Sequence, residues 1–207
     1  MDEINENQAS EVLTPEAPKK EKISLIVSLY DWLEVACVAA VLVILIFTFI
    51  GRMATVSGGS MDNTLSHGDR LLITNLFYTP ERYDIVVVQK EDGYYEDELL
   101  VKRVIAKGGE TITFDFENWT VSVNGKKLYE PYVKKNPYES MRRDDVAGYT
   151  VVVPEGYYFV MGDNRNGSTD SRSALVGFVK ESEIIGKAVF RVAPFSSFGT
   201  LDSIFEN

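Results

Sequence analysis

The chain has 207 residues, one histidine, one cysteine and a formal net charge of −10. That length holds a membrane anchor and one domain of roughly 150 residues with a core of its own. The acidic balance disfavours nucleic acid as a partner, the lone Cys37 excludes a disulfide framework, and the lone His67 disfavours a catalytic zinc site.

Residues 1–22 are polar, acidic and proline-containing without an apolar period, which predicts a disordered tail. A membrane anchor is expected over 23–52. Within it Leu33–Ile50 is almost wholly apolar, and its 18 residues, at about 1.5 Å each, reach about 27 Å, slightly less than the hydrocarbon core of a bilayer. Glu34 lies at one end of the run, and Trp32 and Tyr30 suit the membrane–water interface. A cleaved leader would need a shorter apolar stretch and a small-residue cleavage site, which the residues around Phe47–Arg52 do not offer. A buried core helix of this length seldom lacks a polar face. Lys19, Lys20 and Lys22 precede the run, whereas only Arg52 follows it closely. The excess of basic residues therefore predicts a cytoplasmic N-terminus and an extracytoplasmic remainder.

Beyond Met53 the pattern changes. Short runs such as Arg70–Thr74, Asp84–Gln89, Leu99–Ala106, Thr111–Phe114, Thr120–Val123, Thr150–Val153 and Tyr157–Met161 are rich in β-branched or aromatic residues and mostly bounded by Gly, Pro, Asn or Asp. Asn124-Gly125 between two such runs signals a hairpin. Residues 53–207 are thus expected to be mostly β and largely antiparallel, with a more polar inserted subdomain over about 107–148.

Three segments carry chemistry. Ser60 lies in the turn Val56-Ser57-Gly58-Gly59-Ser60-Met61, shortly after the apolar run. A hydrolytic serine needs a base, and His67, only seven residues away in a turn, reads more simply as a solvated turn residue. A lysine serves if burial lowers its pKa from about 10.4, because desolvation penalises the ammonium form. Lys102 is the lysine set among apolar neighbours, and strand alternation puts it with Leu100 and Val104, with Arg103 on the opposite face. The same spacing also fits a lysine that snorkels from a solvent face. The third segment, Met161–Arg172, has the composition of a tight loop. In it Asp163, Asp170, Arg165 and Arg172 could form an ion-pair frame, and Ser168 could hydrogen-bond a nearby base.

In their order along the chain these segments resemble the bacterial type I signal peptidases. Gly59-Ser60-Met61-Asp62-Asn63-Thr64-Leu65 is similar to the nucleophile motif of that family, and Gly68-Asp69-Arg70 to the strand after it. Tyr83–Val86 with Val101-Lys102-Arg103 resembles the base-bearing region, Gly162–Arg165 with Ser168–Arg172 the last signature box, and Gly186-Lys187-Ala188 the following strand. The resemblance implies Ser60 as nucleophile, Lys102 as general base, Ser168 as the residue that orients Lys102, and Asp170 and Arg172 as braces of the loop. It implies an oxyanion donor in the Ser60 backbone N–H, and a substrate strand lying against Gly58, Gly59 and Met61 on one side and Leu99, Leu100 and Val101 on the other. No metal and no organic cofactor are implied. The implied partners are signal-peptide-bearing preproteins, the lipid bilayer and, indirectly, the protein export machinery, at the plasma membrane.

Three positions depart from the family pattern. Gly58 stands where some members carry a serine that donates to the oxyanion, Asn63 where proline is usual, and Gly167 where asparagine is frequent. Two other readings compete. A self-cleaving repressor-type peptidase also uses serine and lysine, but should carry a DNA-binding module. A membrane-anchored adhesion or assembly domain predicts Ser60 and Lys102 far apart. The aromatic residues Phe190, Phe195, Phe198 and Phe205 are open to two roles, contact with the membrane surface or core packing.

Overall fold

The computed structural model describes residues 25–49, 52–96, 98–144 and 148–201. The tail predicted over 1–22, and Phe205, lie outside these residues.

The first element is helix α1, Leu25–Phe49. It begins ahead of the apolar run that starts at Leu33, because Leu25-Ile26-Val27 extends the apolar sequence in the N-terminal direction. The window Val27–Ile44 has a mean hydropathy of 1.9 and is long and apolar enough to cross a membrane. It has no polar face, and Asp31 and Glu34 are its only acidic residues.

The strands that follow form two antiparallel sheets. The strands are β1 Arg52–Thr55, β2 Arg70–Thr74, β3 Ile85–Gln89, β4 Leu99–Lys107, β5 Thr111–Asp115, β6 Thr120–Val123, β7 Lys126–Lys127, β8 Thr150–Val152, β9 Tyr157–Met161, β10 Val179–Lys180, β11 Ile184–Ala193 and β12 Gly199–Thr200. The larger sheet runs β1-β2-β11-β3-β4-β9-β10 with β12 on β11; the smaller runs β7-β6-β5-β8. The smaller sheet is inserted between β4 and β9 and takes in β8, so it reaches just past the stretch 107–148 in which a subdomain was expected. Asn124 and Gly125 have φ of 51° and 78°, the paired positive angles that a tight hairpin between β6 and β7 requires.

Alternation decides what is buried. Strand β3 is Ile-Val-Val-Val and is covered on both faces. Val86, Val88, Leu100, Val104 and Val160 form one apolar cluster, while Ala54, Met61, Leu65, Leu71, Val87 and Val101 form another. A third joins Ile105, Phe159 and Met161 of the larger sheet to Phe114, Trp119 and Val121 of the smaller one. Among the expected aromatics, Phe190 lies in β11, half-buried, with its ring 4.7 Å edge-on to that of Phe198, whereas Phe195 is exposed.

Two details of register shape the site. Strand β4 pairs with β3 from Leu99 to Arg103, placing Lys102 opposite Val86, but pairs with β9 only from Arg103 onward. Among the described residues no strand therefore covers the second edge of β4 over Leu99–Lys102.

Candidate active site

Ser60 sits on a turn built by its own neighbours. Gly58 has φ of +80°, a left-handed conformation that favours glycine, and its N–H donates to His67 Nδ1 at 3.1 Å. After Ser60 the chain makes one tight turn in which the Thr64 and Leu65 N–H groups both donate to the Met61 carbonyl, at 3.0 and 2.9 Å. Within it Asn63 has φ of +86°. Proline is confined to φ near −65°, so this turn excludes the proline usual at that position, and asparagine, which tolerates the left-handed region, fits. The turn is not loosened by the change: Thr64 Oγ1 donates to Asp163 Oδ2 at 2.5 Å and fastens it to the loop after β9.

Lys102 projects from β4 toward this turn. Its side chain is 3% exposed, and Nζ lies 2.9 Å from Ser60 Oγ and 3.2 Å from the Val101 carbonyl, which accepts from it. Burial pushes the Lys102 pKa down, against the pull of the Asp170 and Asp163 carboxylates, which favour the ammonium form. The apolar setting follows from β4 itself, since Leu100 and Val104 share its face of the strand. The lysine is therefore not on a solvent face, and the wide separation from Ser60 expected of an adhesion domain is absent.

The loop Gly162–Arg172 closes over both groups. Asp163, fully buried, accepts from Arg103 Nε at 2.9 Å and Nη2 at 2.7 Å. Arg103 also donates to the Tyr83 carbonyl and lies 4.0 Å from the Tyr132 ring centre. Asp170 accepts from Arg172 Nε and Nη2, both at 2.8 Å, and from the Gly162 N–H at 3.0 Å. Burial alone would raise the Asp170 pKa, but the Arg172 charge and these hydrogen bonds hold its carboxyl below the usual range. Arg172 Nη2 reaches the Arg165 carbonyl, and Arg165 pairs with Glu130 of the inserted segment at 2.6 Å.

Ser168 is buried close to this centre but does not bond Lys102. Its hydroxyl lies within reach of Asp170 and favours the ionised carboxylate, yet it meets no partner at hydrogen-bonding geometry. Gly162 explains the crowding. A Cβ there would fall 2.3 Å from Ser168 Oγ and 2.5 Å from the Ser60 carbonyl oxygen, so both serines crowd a position that must lack a side chain.

Sequence reasoning missed the contacts of three residues. Asn164 donates through Nδ2 to the Gly59 carbonyl at 2.9 Å and through its N–H to the Ser60 carbonyl at 3.0 Å. Glu130 neutralises buried Arg165, and Lys134 pairs with Asp62 at 3.1 Å beside the Ser60 turn. All three join segments dozens of residues apart, and none has a local periodicity or motif that would reveal its partner. His67 is reassigned rather than missed: it holds Gly58 instead of being merely solvated.

A serine hydroxyl within hydrogen-bond reach of a buried lysine of lowered pKa can be activated for attack on a carbonyl with no histidine required. Comparison with known proteins supplies the family. Residues 29–193 match the family described as signal peptidase, peptidase S26. Signal peptidase I of Bacillus licheniformis is 37% identical over 185 residues, covering 84% of this chain and 94% of the relative. Signal peptidase I T of Bacillus subtilis (strain 168) is 38% identical over 172 residues, covering 80% and 86%. A crystal structure of a signal peptidase I from Enterococcus faecalis V583 shares 30% identity with a TM-score of 0.44, over 54% of this chain and 98% of that one. The chain belongs to the signal peptidase S26 family and is a peptidase.

Proposed function

We propose that this protein is a membrane-anchored serine endopeptidase that removes signal peptides from exported preproteins, with Ser60 as nucleophile and Lys102 as general base. The observation that carries the reading is the 2.9 Å approach of Lys102 Nζ to Ser60 Oγ, with the lysine out of water. Neutral Lys102 accepts the hydroxyl proton as Ser60 Oγ attacks the scissile carbonyl carbon. The resulting ammonium returns that proton to the leaving amine as the C–N bond breaks, leaving an acyl ester on Ser60. Neutral Lys102 next takes a proton from water, the hydroxide adds to the ester, and the Ser60 oxygen leaves with the proton back from lysine. No metal or organic cofactor enters this sequence.

The Ser60 N–H has no acceptor among the described residues and is available to the oxyanion. A fixed donor at that point is worth about 3–4 kcal/mol in the transition state. The open edge of β4 over Leu99–Lys102 can take an extended substrate by main-chain pairing, with Gly58–Met61 on its other side. Ser168 and the Asp170–Arg172 pair are assigned to shape and brace the lysine pocket. Helix α1 is assigned to the plasma membrane with the N-terminus cytoplasmic, which holds the enzyme beside substrates that emerge from the export machinery.

Cleavage of a radiolabelled preprotein in detergent tests the assignment. Ser60→Ala, Lys102→Met and Lys102→Arg should each lose at least about a thousandfold in kcat/KM, since guanidinium does not act as a base near neutrality. Near-native turnover by either lysine variant would sink the dyad.

A further inference from the structure

Glycine at 58, with φ of +80°, offers no hydroxyl to an oxyanion, which leaves the Ser60 backbone N–H as the donor of the proposed mechanism. That N–H belongs to the Gly59–Ser60 peptide unit, whose other pole is the Gly59 carbonyl. A trans peptide is planar, and its C=O and N–H point in opposite directions. Whatever fixes the Gly59 oxygen therefore aims the Ser60 N–H.

Asn164 does this. Its Nδ2 donates to the Gly59 oxygen at 2.9 Å, and its own N–H donates to the Ser60 oxygen at 3.0 Å, so both peptide planes flanking the Ser60 Cα are held by one residue. The holder is itself fixed, since the Asn164 carbonyl accepts from the Gly167 N–H at 3.0 Å in a single 3₁₀ turn. Gly167 completes the device. A Cβ at that position would lie 2.4 Å from Asn164 Nδ2 and 2.8 Å from its Cγ, so the amide occupies the space a side chain at 167 would need. On the other side His67 holds the Gly58 N–H.

We infer that Asn164 is the positioning residue of the oxyanion hole, and that glycine at 167 leaves the Asn164 amide the space from which it reaches the Gly59 carbonyl in this chain. This rests on the proposed Ser60 chemistry. The asparagine touches no reacting atom; it sets the direction of the one donor that does.

The test compares Asn164→Ala, Asn164→Asp and Gly167→Ala with the wild-type full-length enzyme, using a preprotein and a peptide aldehyde that adds to serine to give a tetrahedral oxyanion. Loss of the Nδ2 donor should lower kcat by about 10–100-fold with KM nearly constant, since ground-state binding is untouched. Aldehyde Ki should rise by the same factor as kcat/KM falls. The midpoint of the pH–rate profile should stay where it is, because Lys102 is not in contact with the amide. Gly167→Ala keeps Asn164 but displaces its amide, and should reproduce the pattern; it decides the matter if the Asn164 variants prove unfolded by thermal melts. Wild-type kcat in the folded variants, an increase confined to KM, or a moved pH midpoint would overturn the inference. Failure of the underlying dyad would show separately, as retained cleavage by Ser60→Ala in the same assay.

Discussion

Lys102 carries a cost of burial at the proposed centre. An ammonium group 3% exposed loses most of its hydration, and the carboxylates of Asp170 and Asp163 restore only part of that stabilisation. A lysine whose pKa is lowered by folding binds fewer protons than the unfolded chain does, so it costs stability. That cost is full below the folded pKa and vanishes as pH rises to the ordinary lysine value near about 10.4. Lys102→Met should thus raise the melting temperature near neutral pH while abolishing cleavage, with the gain shrinking in melts at alkaline pH. A lower melting temperature than wild type would contradict the assignment of burial as the dominant influence. Asn63 makes the second residue-scale prediction. Its φ of +86° is easy for glycine and closed to proline. Asn63→Gly should keep both fold and activity within about 1 kcal/mol in urea unfolding, whereas Asn63→Pro should lose activity with the turn that carries Ser60. The apolar neighbours and the strand period singled out Lys102 as a candidate but fitted a solvent-facing lysine as well, and its burial is visible only in the fold. The left-handed turn at Asn63 was not readable, because a single departure from a motif says nothing of backbone angle.

At the scale of elements, the site is a strand and two loops fastened by buried charges. The Arg103–Asp163 and Arg172–Asp170 pairs are almost wholly out of water, at 1% and 0% exposure for the first and 0% for both members of the second. Removing one member of such a pair leaves an unpaired charge and costs about 3–5 kcal/mol. Arg103→Met should show a loss of that size in denaturant unfolding, together with detachment of the Thr64 turn. Asp170 adds a pH dependence. Its folded pKa is depressed, so its contribution to stability is present above the unfolded value of about 3.9 and is lost as pH falls through the folded value. In Arg172→Met the burial of Asp170 dominates instead, and acid unfolding should begin at a higher pH than in the wild type. The strands themselves were legible from β-branched runs and turn residues. The fasteners were not: Asn164 reaches a carbonyl 105 residues away, and Arg165 finds its counterion 35 residues upstream in the inserted segment. Hydrogen bonds of that span leave no periodic trace in a sequence, so the acidic and basic residues of the loop could be named as a frame but not paired outside it.

For the molecule as a whole, the proposal assigns location to the apolar helix and chemistry to the β domain. The helix was legible from hydropathy, though it starts at Leu25 rather than at the apolar run from Leu33, because apolar residues ahead of Tyr30 continue the same structure. Deleting residues up to Arg52 should leave a folded domain that cleaves a soluble peptide, but should slow cleavage of vesicle-embedded preprotein by about 10–100-fold as the shared surface is lost. Equal rates on embedded preprotein would remove anchoring from the account. The central claim, that a lysine stripped of its proton drives Ser60, is tested most directly by the pH dependence of kcat/KM for a short peptide. The account predicts a limb that rises with pH as Lys102 becomes neutral, with its midpoint below the ordinary lysine value of about 10.4. A profile that stays flat below that value, or a limb centred on it, would contradict the account.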